Sequence, residues 1–197
     1  MIDQLVDYFH QYMGQGYQCE QVPDEIRAKY AGHFMTDKDK GDTLVRLWND
    51  DGFCGYQNGL FWLVNPDRYT PIARKFPDVT PSSVAFARSA TGGLFLYDTP
   101  AIGDSISYLN VHTGDNRIVS TGFQVFIAFD MPADTFWKRE CYGKIELKAV
   151  KRYGPLDHDE CVAFVPALAL GGSEKVANMQ KVKIEPHLEM LAQLHAG

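Results

Sequence analysis

Val84-Ala-Phe-Ala-Arg-Ser-Ala-Thr-Gly-Gly-Leu-Phe-Leu-Tyr97 reads as two strands around a tight turn. Val84–Arg88 and Leu94–Tyr97 are rich in apolar and aromatic residues, and the glycine pair after Thr91 can supply the positive φ that such a turn demands. Upstream, Gly59–Val64 has the same character and is bounded by Asn65-Pro66, which makes it a third strand. Downstream, Ser105–Val111 and Arg117–Val119 add two more around the turn Gly114-Asp-Asn116, with Thr99–Gly103 as the preceding connection. Phe61 and Trp62 are adjacent, so on a strand they face opposite sides. At least one of them needs cover from a helix, a second domain or a partner.

Short helices flank this run. Ile2, Leu5, Val6, Phe9 and Met13 recur at helical spacing until Gly14 and Gly16 stop them. Val22-Pro-Asp-Glu opens a second helix, with Pro23 and the acidic pair suited to its first turn. Gly41–Asn49, with Leu44, Leu47 and Trp48 on one face, gives a third, and Asp37–Lys40 before it reads as a solvated loop. Pro66–Phe76 fits a fourth, started by Asn65 and Pro66. The sum is an α+β fold: an antiparallel meander sheet with flanking short helices.

The remainder reads as a smaller, packed helical and mixed region. Phe123–Phe129 fits both a strand, by alternation, and a helix, by the spacing of Phe123, Phe126 and Ile127. Tyr142–Arg152 is an amphipathic helix with Ile145, Leu147, Ala149 and Val150 inside, stopped by Gly154-Pro155. Cys161–Val165 is a short buried strand, and Glu185–Ala196 closes the chain as a helix. No repeat or Gly/Ser linker separates the parts, so residues 1–120 and 121–197 are expected to be two domains packed together.

The net charge of −6 argues against direct nucleic-acid binding, because neutralising phosphates needs a basic face. Fifteen of the acidic residues lie in Met1–Ser120 against ten Lys and Arg, while the rest of the chain is almost balanced. Such a surface aids solubility and also attracts a basic partner. No apolar run approaches the roughly 20 residues that cross a bilayer, so no membrane association is expected. The N-terminus lacks the features of a secretory signal, so a cytoplasmic location and four reduced, buried cysteines are expected.

Constellations with chemical potential are sparse. Asp157-His-Asp-Glu-Cys161 has metal-ligand residue types, but neighbours on a strand diverge, and an acidic turn entering a buried strand explains the same residues. Cys54 or Cys161 with His112 or His158 would be the only nucleophile pairs to consider, and both cysteines sit in apolar surroundings. Gly14-Gln-Gly16 and Gly143-Lys144 lack the remaining glycines of phosphate-cradling loops. Gly171-Gly172-Ser173 either offers backbone N–H groups to an anion or simply reverses the chain. We expect no catalytic residue, cofactor or metal.

Tyr153–Ser173 followed by the amphipathic tail Val182–Leu194 resembles the C-terminal domain of immunity proteins that protect type VI secretion bacteria from their own DNase effectors. Gly59–Tyr69 together with Phe86–Tyr97 resembles the GAD-like domain that precedes it in the same family. The two matches span roughly Val22 to Leu194 in the family's order. The resemblance implies a helix at Phe123–Phe129, because the family's C-terminal domain opens with one. It also implies a non-enzymatic protein that occludes a cognate DNase toxin stoichiometrically. It carries no contact motif, so candidate partner-binding residues rest on physical grounds: Asp157, Asp159 and Glu160 in the acidic turn, Gly171, Gly172 and Glu174 in the following loop, and Asp50 and Asp51 beside Phe53 and Tyr56. A small Cys/His hydrolase and a regulatory scaffold without a toxin partner are the alternatives.

Overall fold

The Gly92–Gly93 turn forms, and its two glycines do different jobs. Gly92 takes φ +88°, whereas a Cβ on Gly93 would lie 2.0 Å from the Tyr108 hydroxyl. The first glycine is required by conformation and the second by close approach. Around this hairpin the computed structural model, which describes residues 2–31, 43–98 and 104–196 and the side chains from residue 4 on, lays out seven antiparallel strands in chain order. They are β1 (Tyr17–Glu20), β2 (Phe53–Tyr56), β3 (Phe61–Leu63), β4 (Val84–Ser89), β5 (Leu94–Asp98), β6 (Ser105–Leu109) and β7 (Asn116–Ser120). A separate ribbon pairs β8 (Glu160–Phe164) with β9 (Met179–Lys183). Asp37–Lys40, Gly41 and the connection Thr99–Gly103 lie outside the described residues.

Eight helical segments flank the sheet: α1 (Ile2–Met13), α2 (Asp24–Tyr30), α3 (Thr43–Asp50), α4 (Pro66–Ala73), α5 (Phe123–Val125), α6 (Asp134–Arg139), α7 (Lys144–Tyr153) and α8 (Ile184–Ala196). Asn65 caps α4 by accepting from the Asp67 N–H at 2.9 Å, with Pro66 in the first turn. The ambiguous stretch after Gly122 is helical: α5 runs into a π turn, Phe126–Asp130, closed by the Met131 N–H to the Phe126 carbonyl at 2.9 Å.

The sheet is covered on both faces. On one, Phe9, Trp48, Phe123, Phe126, Phe136 and Trp137 pack on Tyr56, Phe61, Phe95 and Tyr97. Ring centroids are 5.7 Å apart for Phe61–Phe95 and 5.3 Å for Phe95–Phe126, within the range where aromatic pairs attract. On the other, Ile72, Phe76, Cys161, Phe164, Leu188 and Leu191 cover Trp62, Leu94, Leu96, Leu109 and Val111. Phe61 and Trp62 therefore do face opposite ways, and the cover for Trp62 includes residues of the C-terminal part. The chain after residue 120 supplies side chains to both faces, which is why no linker is needed.

Three local expectations are corrected. Cys54 lies in β2, and β1 was unanticipated because Tyr17-Gln-Cys-Glu20 is polar and largely exposed. The antiparallel register Tyr17↔Gly55 and Glu20↔Phe53 then sets Cys19 opposite Cys54, with Cα atoms 4.3 Å apart, and the two form a disulfide; only Cys141 and Cys161 are free thiols. Inside α7 the fully buried residues are Ala149 and Glu146, while Ile145, Leu147 and Val150 are half-buried. Glu146 faces inward because it satisfies the hairpin turn: its carboxylate accepts from the Thr91 N–H at 2.9 Å and the Thr91 hydroxyl at 2.6 Å.

Candidate functional site

The acidic turn between α7 and β8 is docked on the edge strand β1. Asp157 accepts from the Gln18 side-chain amide at 2.8 Å, and the His158 N–H donates to the same amide's oxygen at 2.9 Å. β9 lies alongside and neutralises the other two carboxylates: Asp159 pairs with Lys183 at 2.5 Å and Glu160 with Lys181 at 3.3 Å. The Lys183 ammonium holds the Asp159 carboxyl below its ordinary value. Cys161 points into the core, so the cluster does not converge on a common point. Among the described residues no group of three His, Cys, Asp or Glu is placed to hold a metal ion.

The loop after β8 reverses the chain. Gly171 adopts φ +82°, and the N–H groups of Gly171 and Gly172 donate to the Leu168 and Ala167 carbonyls at 2.9 and 3.0 Å. Those donors are thus committed within the turn. Glu174 is exposed, as is Leu170 just before the glycines.

Asp50 and Asp51 have different environments. Asp50 pairs with Arg46 one turn earlier on α3 at 2.8 Å. Asp51 accepts from the Tyr56 hydroxyl at 2.5 Å and stands 2.6 Å from His10 Nε2, tying the end of α1 to the entrance of β2. Burial, reinforced by the Asp51 carboxylate, pushes the Tyr56 phenol well above its ordinary value. Phe53 and Tyr56 are both buried, so their rings belong to the core and not to the surface that the two aspartates present.

Polar groups are enclosed on the face that carries Trp62, and sequence reasoning missed most of them. Arg88 is fully buried, stacked 4.7 Å from the Trp62 ring, and donates to the His158 carbonyl at 2.9 Å; burial lowers its pKa. His112 contacts the Thr91 carbonyl through Nε2 at 2.9 Å, with the His187 ring 5.9 Å away. Burial drives the pKa of His112 down to about 3 and that of His187 to about 4, so both rings are neutral near pH 7. Burial also pushes the Cys161 thiol up to about 12 and raises the Glu146 carboxyl. Cys54 is in the disulfide, Cys161 is held as a thiol, and His112 faces a carbonyl; the candidate nucleophile pairs are not assembled. The one available clue to these groups was Glu146 at i−3 from Ala149, on the buried side of α7.

A cleft of about 610 Å³ lies elsewhere, between α2 and α4. Lys29, Tyr30, Asp67, Thr70 and Arg74 line it, with Asp67 held by Lys29 at 2.5 Å and by the Tyr30 hydroxyl at 2.6 Å. None of the residues singled out from sequence borders it. Among the described residues no helix is long and apolar enough to cross a membrane.

Comparison with known proteins accounts for nearly the whole chain. Residues 4–111 match the GAD-like domain, and residues 120–195 match the C-terminal domain of the T6SS immunity protein Tdi1. No curated protein matches. Among solved structures, Atu4351 from Agrobacterium tumefaciens superposes with a TM-score of 0.74 at 16% identity, over 97% of this chain and 89% of that one, which establishes a shared fold. With both domain models matched in the expected order, the chain belongs to the type VI secretion immunity proteins of the Tdi1 type, in which a GAD-like domain precedes the Tdi1 C-terminal domain.

Proposed function

We propose that this protein binds a cognate DNase toxin in the cytoplasm and neutralises it by stoichiometric occlusion, without catalysis of its own. The observation that carries this reading is the ordered match to both family domains across residues 4–195. Physical features support it. A DNase presents a basic groove, and an excess of carboxylates on this chain favours encounter with it. The groups with nucleophilic or acid–base potential are buried, paired or disulfide-bonded, which suits a binding protein better than an enzyme.

We assign residues 1–120 and 121–197 to two domains that share one core, so they should unfold together; separate calorimetric transitions, or ready proteolysis near Ser120–Gly122, would show independent units. At the toxin contact, Asp157, Asp159, Glu160, Glu174, Asp50 and Asp51 serve as rim carboxylates that steer association. The Gly171–Gly172 loop shapes the neighbouring surface. Phe53 and Tyr56 act only by holding Asp50 and Asp51 in place.

Co-expression with the nuclease toxin expected to be encoded beside this gene tests the reading. Protection of the host and co-purification at a fixed ratio are expected, and variants Cys161→Ala and His112→Gln should protect like the parent. Loss of protection with intact folding in either variant, or the absence of a complex with the parent, would overturn it.

A further inference from the structure

Every described phenylalanine but one is buried; Phe129, on the π turn, is 71% exposed. A ring left in water gains little of the stabilisation that burial gives. The π turn produces the exposure. Phe126, Ile127, Ala128 and Met131 enter the core, and Phe129 and, four residues earlier, Val125 are turned out. α1 packs alongside this turn. Tyr12 on α1 donates to Asp134 at 3.2 Å, and Tyr8, one turn earlier on the same side of the helix, is 49% exposed. Two neighbouring elements therefore present Tyr8, Val125 and Phe129 to solvent.

The Asp, Glu, Lys and Arg residues of the two elements that carry this strip are all acidic. Neither α1 nor residues 123–134 contain a Lys or Arg, whereas Asp130 follows Phe129, Asp134 lies four residues beyond Asp130, and Asp7 is exposed on α1. Lys138 stands 3.5 Å from an Asp134 side chain that is largely in solvent, a pairing that screens little. At the Asp157–Glu160 turn, by contrast, β9 supplies a lysine to two of the three carboxylates.

We infer that the face formed by Tyr8, Val125 and Phe129, rimmed by Asp130 and Asp134, is the docking surface for the basic, nucleic-acid-binding face of the toxin, with Phe129 as its anchor. This inference rests on the immunity reading and locates its contact at the seam between the two matched domains. Charge selects the occupant. A second copy of this chain would set Asp130 and Asp134 against themselves, and anionic lipid or nucleic acid would meet carboxylates. A cationic protein surface meets aromatic rings that accept its arginines and lysines, within a rim of opposite sign.

The test uses the full chain and a catalytically inactivated form of the same nuclease toxin. Phe129→Ala removes an exposed ring and leaves the core untouched, so it should fold like the parent yet dissociate about tenfold faster. Asp130→Lys with Asp134→Lys should slow association several-fold at low salt, an effect that fades once the Debye length shrinks to about 8 Å. Met190→Ala, exposed on α8 over the other face of the sheet, serves as the control and should change neither rate. If the parent binds and Phe129→Ala binds and protects equally well, this surface is overturned while the immunity reading stands. If the parent itself does not bind, both fall. Concentration-dependent dimerisation of the chain alone that Phe129→Ala abolishes would give the face to a second copy and overturn the assignment.

Discussion

The two faces of the sheet are sealed by different chemistry. One is closed by a continuous aromatic cluster around Phe61 and Phe95, with rings from α1, α5 and α6. The other is apolar at its centre but also encloses Arg88, Glu146, His112 and His187. Apolar burial is indifferent to protonation, whereas buried ionisable groups make stability conditional on pH. The second face is also the one that the C-terminal ribbon and α8 complete, so the contribution of the C-terminal part to the core is the pH-sensitive one.

Acidification should expose this difference most strongly. His112 and His187 have folded pKa values near 3 and 4, below the ordinary 6.5. Between those limits the unfolded chain binds protons that the folded chain refuses, so stability falls as pH drops from about 6.5 toward 4. The slope is about 1.4 kcal/mol per pH unit for each ring, giving a loss of several kcal/mol by pH 4. Denaturant titrations at stepped pH would measure it, and His187→Phe should flatten the slope. A parent whose stability is level between pH 6.5 and 4.5 would refute the contrast.

The aromatic face should give a large effect that ignores pH. Phe95→Ala removes a fully buried ring that touches Phe61, Phe126, Phe136 and Trp137. The expected loss is about 3–5 kcal/mol, the same at pH 5 and pH 7.5. A much smaller loss would mean that the cluster collapses into the gap.

Next in size is the contact between α7 and the hairpin. Thr91→Val keeps the side-chain shape but leaves one Glu146 oxygen without its donor, at a cost of about 1–3 kcal/mol. Because burial already raises the Glu146 pKa, and losing the donor raises it further, the deficit should grow as pH rises above 4.5. That direction is opposite to the histidine effect, so unfolding curves at two pH values separate them.

Much of this architecture was legible before any coordinates. The hairpin at Thr91–Gly93, the meander and the helical periodicities of α1, α3, α7 and α8 follow from spacing and turn chemistry, which act locally. What escaped was decided by partners distant in the chain. Tyr17–Glu20 is a strand because β2 is there to pair with it, and Cys19 meets Cys54 only through that pairing. The burial of Glu146 is decided by Thr91, 55 residues away in the chain. The acidic turn was visible as charge, but Lys181 and Lys183, which offset it, become its neighbours only when β9 pairs with β8. Phe129 sat inside a run that fitted both periods, and neither period describes a π turn.

The smallest effect is expected at that turn. Reversing Asp157, Asp159 and Glu160 to lysine together would remove two ion pairs at the surface and place new positive charge beside Lys181 and Lys183. Exposed pairs contribute little to folding, so the unfolding midpoint should hardly move. The carboxylates act on a basic toxin only through the field they add, and β9 has already cancelled much of it. Association should therefore slow by only about two- to threefold at low salt and return to the parent's rate near physiological ionic strength, where the Debye length is about 8 Å. Stopped-flow binding at two salt concentrations, run beside Phe129→Ala, ranks the two surfaces directly. A salt-insensitive loss larger than that of Phe129→Ala would mean that the turn is buried in the complex, and the main contact would then move from the seam at α1 to the edge of β1.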